Sequence, residues 1–212
     1  MALNIIKLVV GPVYTNCYIA FCSQTKSAAI IDPGDNAEKI IATLEGNGLT
    51  PEYIFLTHGH FDHIMALSGI KKKYPAKVII HESDADRLTN PVKSHAPLPV
   101  KDPPSADITV TGGEDFSLGN LLFHYIHTPG HTKGSCVISC EDTLFTGDTL
   151  FSGDCGRCDL PGGDYSEMLR SLKLLYSLSG EYRVLPGHDE ETTLERERRV
   201  NPNMLEGAAL ED

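Results

Sequence analysis

The residues best equipped for chemistry in this chain are seven in a row, Thr57-His58-Gly59-His60-Phe61-Asp62-His63. Three imidazoles and one carboxylate within six positions are too many polar groups to bury without a shared partner, because an unpaired buried polar group is costly. A divalent cation is such a partner. His58 and His60, two apart on extended chain, point the same way, while Asp62 and His63 lie where the chain turns into a helix. This spacing suits two metals side by side better than one, since a single tetrahedral ion would struggle to collect four ligands from so short a loop. A merely solvated histidine-rich loop fits poorly with an internal position flanked by Tyr53-Ile54-Phe55-Leu56 and Ile64-Met65-Ala66-Leu67.

Further ligands stand downstream. His131 follows a strand and the turn Thr128-Pro129-Gly130, Asp148 follows Thr143-Leu144-Phe145-Thr146-Gly147, and His188 follows Arg183-Val184-Leu185-Pro186-Gly187. A lone histidine is more often structural than a ligand. Three separate endings of strand, glycine and ligand, added to the first cluster, are harder to dismiss, because loops at one sheet edge are where a rigid scaffold presents chemistry. The candidate set is five histidines and two aspartates: His58, His60, Asp62, His63, His131, Asp148 and His188. Two divalent ions about 3.5–4 Å apart lower the pKa of a shared water towards neutrality and polarise a carbonyl, so the chemistry expected is hydrolysis.

The elements that position these residues follow from periodicity. Strands are expected at Ile5 to Val10, Asn16 to Phe21 and Ala28 to Ile31, the last ended by Asp32-Pro33-Gly34-Asp35. A helix with Ala37, Ile40, Ile41 and Leu44 on one face stops at Gly46 or Gly48. The strand into His58 comes next, then a helix running to about Tyr74, whose Lys71-Lys72-Lys73 is a solvated end, and a strand Lys77 to Ile80. Pro91, Pro97, Pro99, Pro103 and Pro104 exclude regular helix or central strand from residues 91–104, a loop that serves as a lid or a plain linker. Strands then recur at Phe116 to Leu118, Leu121 to His127, Cys136 to Cys140 and Thr143 to Phe145. A leucine-striped helix spans Ser166 to Ser179 behind Asp164, followed by a strand Tyr182 to Leu185 and a charged helix Glu190 to Val200. Two halves of strands, each ending in a helix, would stack as a sandwich in one α/β domain.

Bulk properties narrow the class. The 212 residues suffice for a real core, and 41% apolar with 22% charged residues is ordinary for a globular protein. A net charge of −11 argues against broad binding to nucleic acid or anionic membrane. No segment approaches a membrane span, and the first ten residues read as a strand, not a signal peptide. Six cysteines without a leader are expected as free thiols in a reducing cytoplasm.

Taken together, Thr-His58-x-His60-x-Asp62-His63, Pro-Gly-His131-Thr, Gly-Asp148-Thr-Leu-Phe and Pro-Gly-His188 resemble the metallo-β-lactamase fold superfamily, and within it the glyoxalase II group. The resemblance spans nearly the whole chain. It implies a four-layer αβ/βα sandwich, residues 1–212 forming a single domain, with His58, His60 and His131 on one metal, Asp62, His63 and His188 on the other, and Asp148 bridging them. The metals implied are zinc first, iron or manganese otherwise. Metallo-β-lactamases lack a bridging aspartate at this point, which weighs against lactam hydrolysis, and His60 weighs against the flavodiiron branch, where a carboxylate is expected. Gly156-Arg157-x-Asp159 followed by Pro161-Gly162-Gly163-Asp164 is similar to the short glyoxalase II-like hydrolases. The implied substrate is a small-molecule thioester, an S-acylated thiol such as S-lactoylglutathione. Only 24 positions follow His188, which leaves no room for the helical C-terminal glutathione-binding domain of the longer enzymes.

In that reading Asp62 both binds metal and orients the attacking water, and a thiolate leaves without a strong general acid. Arg157 meets a substrate carboxylate or makes a surface ion pair with Asp154 or Asp159. Gly-Arg-x-Asp also occurs in iron-dependent persulfide dioxygenases, which need only the equivalents of His58, His131 and Asp148; a metal-binding protein without turnover is the third alternative. Cys155 and Cys158 form a C-x-x-C that is weak as a zinc signal alone. Cys136 and Cys140 share strand parity and belong to a core. His81, His95, His124 and His127 have no motif support and stay outside the expected site.

Overall fold

A computed structural model describes residues 3–97 and 102–211. Strands β1 (Leu3–Val10), β2 (Thr15–Cys22), β3 (Ser27–Ile31), β4 (Thr50–Phe55), β5 (Lys77–His81) and β6 (Ile108–Val110) form one sheet in that order. The first two pairings are antiparallel and the remaining three parallel. The second sheet runs β12 (Thr192–Thr193), β11 (Arg183–Pro186), β10 (Thr143–Gly147), β9 (Cys136–Cys140), β8 (Leu121–His127), β7 (Asp115–Leu118). Only β10 and β11 are parallel there. The α/β sandwich expected from the sequence is the architecture observed.

Two-residue alternation assigns each side chain its layer. On β2, Tyr18, Ala20 and Cys22 face the second sheet, where they meet Phe123, Tyr125, Ile138 and Phe145. Cys17 and Ile19 face the other way and pack under Ile40 and Leu44 of α1 (Ala37–Gly46) and Leu67 and Ile70 of α3 (Leu67–Lys73). On the far side, Val137, Leu144 and Val184 pack against Met168, Leu172 and Leu175 of α4 (Tyr165–Tyr176). Each fully buried side chain of this size contributes about 1.5–3 kcal/mol. Asp164 caps α4 by accepting from the Glu167 N–H at 3.0 Å, worth about 1 kcal/mol. Cys136 and Cys140 are core residues, as expected.

Five features depart from the sequence expectation. The helix after the histidine loop is broken into α2 (Phe61–Ile64) and α3. The Ala66 N–H donates to Pro33 O at 3.0 Å, outside its own helix, and the Asp62 carbonyl is crowded by Gly34, where even a Cβ would lie 1.7 Å away. The helix expected from Glu190 begins only at α5 (Leu194–Val200), because Thr192 and Thr193 pair with Val184 and Arg183 as an edge strand. Strand β6 and α6 (Pro202–Ala208) were not expected, nor was the 3-10 helix Glu82–Leu88. Of the proline-rich segment, residues 91–95 form a turn, and 98–101, including Pro99, lie outside the described residues.

Candidate metal centre

The seven expected ligands converge where both sheets end. His58 and His60 follow β4, Asp62 and His63 open α2, and His131, Asp148 and His188 follow β8, β10 and β11. Two glycines permit the approach. A Cβ on Gly187 would lie 2.4 Å from Asp148 Oδ1 and 2.8 Å from His63 Cε1. Gly147, at φ +48, would drive one to 2.3 Å from Thr57 Oγ1.

Hydrogen bonds on the outer side of the rings decide which nitrogen faces inward. His131 Nδ1 lies 2.7 Å from the carbonyl of Arg157, which can only accept, so Nδ1 carries the proton and Nε2 offers a lone pair. The Thr57 hydroxyl donates to Asp32 Oδ2 at 2.6 Å and so accepts from His58 Nδ1 at 3.1 Å. That leaves His58 Nε2 bare. These two lone pairs flank His60 Nδ1, at 3.1 Å from His58 Nε2 and 2.8 Å from His131 Nε2. Three ring nitrogens facing one another cannot all be satisfied by protons, but one cation satisfies them all.

The second group is carboxylate-rich. His63 Nδ1 donates to Asp32 Oδ2 at 3.0 Å, turning Nε2 towards Asp62 Oδ2 and Asp148 Oδ1, each at 3.4 Å. His188 Nε2 lies 3.2 Å from Asp62 Oδ2, which also accepts from the Thr15 hydroxyl at 3.1 Å. Asp148 reaches both groups: its Oδ2 is 3.4 Å from His131 Nε2 and 3.7 Å from His188 Nε2. Potential ligand atoms of His58, His60 and His131, of His58, His63 and Asp148, and of Asp62, His63 and His188 each lie within 4.8 Å of one another. His63 Nε2 and Asp148 Oδ1 are buried without a hydrogen-bond partner. Orphaned inward atoms of this kind fit a divalent cation.

Charge separates the two groups. Burial, with neighbouring His63 and His131, holds His58 well below the ordinary histidine pKa. Burial and then His131 and Arg87 bring His60 to about 3. His63 goes the other way: burial opposes its protonation, but Asp62, Asp148 and Asp32 together prevail and raise it. His188 is raised against burial by its bond to Asp62 and by Asp148. Burial alone would raise Asp62, yet His63 and His188 draw it to about 2.

Several supporting residues carry no local sequence signal. Asp32 orients His63 and Thr57 from the end of β3. Asp84, fully buried in the 3-10 helix, accepts from Gly59 N, Thr132 Oγ1, Gly134 N and Arg87 Nε, joining the His58–His60 loop to the His131 loop. His95, excluded on sequence grounds, places its ring 5.2 Å from that of His60, and its buried Nε2 has no partner among the described residues. Arg157 lines the pocket with Val13, Leu160 and His95; its guanidinium makes two 2.7 Å bonds to Asp159 at the surface. Cys155 and Cys158 are half-buried, their thiols pushed up by burial to about 12 and about 11. Neither joins a candidate metal group among the described residues.

Comparison with known proteins shows the following likenesses. Residues 10–188 match the model of the metallo-beta-lactamase superfamily. The chain is 33% identical to the hydroxyacylglutathione hydrolase GloC of Haemophilus influenzae, over 94% of this chain and 97% of that protein. The crystal structure of the BLEG-1 B3 metallo-beta-lactamase superposes with a TM-score of 0.89 at 34% identity, covering 95% of this chain and 99% of that one. That of TTHA1623 in a di-iron-bound form gives 0.83 at 35% identity, covering 93% and 98%.

Proposed function

The chain belongs to the metallo-β-lactamase superfamily, and from that premise we propose that it is a dinuclear metal-dependent hydrolase cleaving the thioester of an S-acylated small thiol such as S-lactoylglutathione. The observation that carries the proposal is Asp148, whose carboxylate stands between two complete three-residue ligand groups. In this reading His58, His60 and His131 would hold one ion, Asp62, His63 and His188 would hold the other, and Asp148, which faces both groups, would serve both. The likeness to a hydroxyacylglutathione hydrolase supports the thioester class, and the likeness to a di-iron form supports a site for two metals, with zinc, iron or manganese as candidates.

When bound, such ions supply Lewis acidity that activates water and polarises the carbonyl. The remaining work falls to the chain. Asp62, fixed by the Thr15 hydroxyl and His188, orients the attacking water. Asp32, Thr57 and the Arg157 carbonyl hold three imidazoles in the tautomer that presents a lone pair inward. Arg157 exchanges Asp159 for a substrate carboxylate, a change of low cost because an exposed ion pair contributes only about 0–1 kcal/mol. The departing thiolate is stable near neutral pH and needs no strong acid.

The likeness to BLEG-1 brings in β-lactamase activity as a second reading, against which Asp148 weighs. One experiment separates these readings from oxidation. Under nitrogen, the metal-loaded protein is expected to release thiol from S-lactoylglutathione at an undiminished rate, and His188→Ala to slow it at least about a hundredfold. Faster turnover of a chromogenic β-lactam would shift the assignment to the second reading. Brisk oxygen uptake with glutathione persulfide, unaffected by His188→Ala, would replace hydrolysis by a single-iron dioxygenase.

A further inference from the structure

A second cavity, about 520 Å³, adjoins the metal pocket. His95 lines both, and Leu160 of the one is followed in sequence by Pro161 of the other. Its volume lies within the range of about 300–1,000 Å³ usual for small-molecule sites. We propose that this cavity receives the thiol-carrier half of the substrate, and that its Asp86–Lys93 wall selects a peptide-like carrier bearing both a free amine and a carboxylate. The proposal rests on the thioesterase reading above and adds to it where the leaving group lies and what recognises it.

The cavity is built by one cation. Arg87, 8% exposed as a residue, donates through its guanidinium to Asp84 Oδ1 at 3.1 Å within the 3-10 helix, to the Lys93 carbonyl in the turn 91–95, and to the Pro161 carbonyl at 3.4 Å. Three separate segments are thereby tied into one concave wall beside the metal pocket. These bonds engage three of its five N–H donors, one from each nitrogen, and hold Arg87 in place as the floor. The groups free to recognise a ligand lie above it.

Asp86 and Lys93 form an ion pair on that wall, with side chains 57% and 53% exposed. Such a pair stabilises the fold by only about 0–1 kcal/mol, so each partner can turn to a ligand at little cost. A ligand ammonium answers Asp86 and a ligand carboxylate answers Lys93. An amino-acid-like end carries both. A polyphosphate carrier would meet repulsion from Asp86, and an uncharged carrier would leave both charges without use. Val92, 81% exposed beside them, supplies apolar contact for the carrier's backbone.

The test compares two thioesters with the same acyl group, S-lactoylglutathione and S-lactoyl-N-acetylcysteamine, the second lacking the charged ends. Lys93→Ala keeps the backbone carbonyl that Arg87 bonds, so the wall stays in place. It is expected to raise KM for the glutathione ester about five- to tenfold with kcat retained, and to leave the cysteamine ester unchanged; tenfold corresponds to about 1.4 kcal/mol. Asp86→Ala is expected to act in the same way. Equal effects on both esters, or none on either, would overturn the proposal. Preferential cleavage of lactoyl-coenzyme A with the same dependence on Lys93 would overturn the zwitterionic carrier in favour of a polyanionic one. If wild type cleaves no thioester, the catalytic reading fails by itself, and calorimetric titration with S-methylglutathione still decides the cavity. Binding weakened by Lys93→Ala supports it, and absent or indifferent binding removes it.

Discussion

Asp148 is the side chain whose loss nothing nearby can replace, because its two oxygens face His63 on one side and His131 and His188 on the other. Asp148→Ala is therefore expected to lower thioester turnover at least about a hundredfold and to reduce bound metal on elemental analysis. Wild-type turnover in that variant would mean the residue has been misassigned. The two ligand groups should also differ in their response to acid. In the metal-free protein His58 and His60 are held neutral by burial, so a cation displaces no proton from them. His63 and His188 have raised pKa values, so a cation at the other group must expel protons, and its affinity falls as pH falls. Dialysis from about pH 8 to about pH 5 should release metal from the Asp62–His63–His188 group first, seen as a fall from two equivalents towards one. Simultaneous loss of both would contradict the asymmetry. At this scale the candidate ligands are legible because they cluster within six positions or follow glycine at a strand end. Asp32, Asp84 and His95 are not, since their partners in the ligand loops lie 25 or more positions away and only the folded chain brings them together.

The 3-10 helix Glu82–Leu88 looks minor by length, yet it carries the buried carboxylate that links two ligand loops and the guanidinium that ties three walls. Asp84→Ala leaves Arg87 without its buried carboxylate and two backbone N–H groups, those of Gly59 and Gly134, without an acceptor. A cost of about 3–5 kcal/mol is expected, measured as a lower denaturant midpoint at unchanged m-value, together with reduced metal content. A stability equal to wild type would show that water replaces the carboxylate. Long apolar periods announced the strands and helices of both sandwich halves. The exceptions share a cause: tertiary contacts outvote local pattern. The Pro33 carbonyl takes the Ala66 N–H and ends α2 early, and β11 recruits Thr192 and Thr193 from a stretch whose composition reads as helix.

Across the whole molecule, the metal centre gathers loops from both sheets, so metal binding is coupled to the stability of the sandwich. Metal held at about a hundredfold over its dissociation constant stabilises the native state by about 2.7 kcal/mol. Chelation is thus expected to lower Tm by roughly 5–10 °C for a chain of this size, read by calorimetry with and without chelator; an unchanged Tm would mean the ligand loops are held without the ion. One contact between the halves has a further consequence. The β2 side chains Asn16 and Tyr18 bond the Pro186 carbonyl at 2.9 and 2.8 Å, and the Asn16 N–H bonds the Gly187 carbonyl at 2.7 Å. A strand made early in translation thus waits for a segment about 170 positions behind it, since synthesis proceeds from the N-terminus at about 5–20 residues per second. The residues of the His58–His60–His131 group are thus all synthesised before the segment that seats His188, and the second group can be completed only once that segment reaches β2.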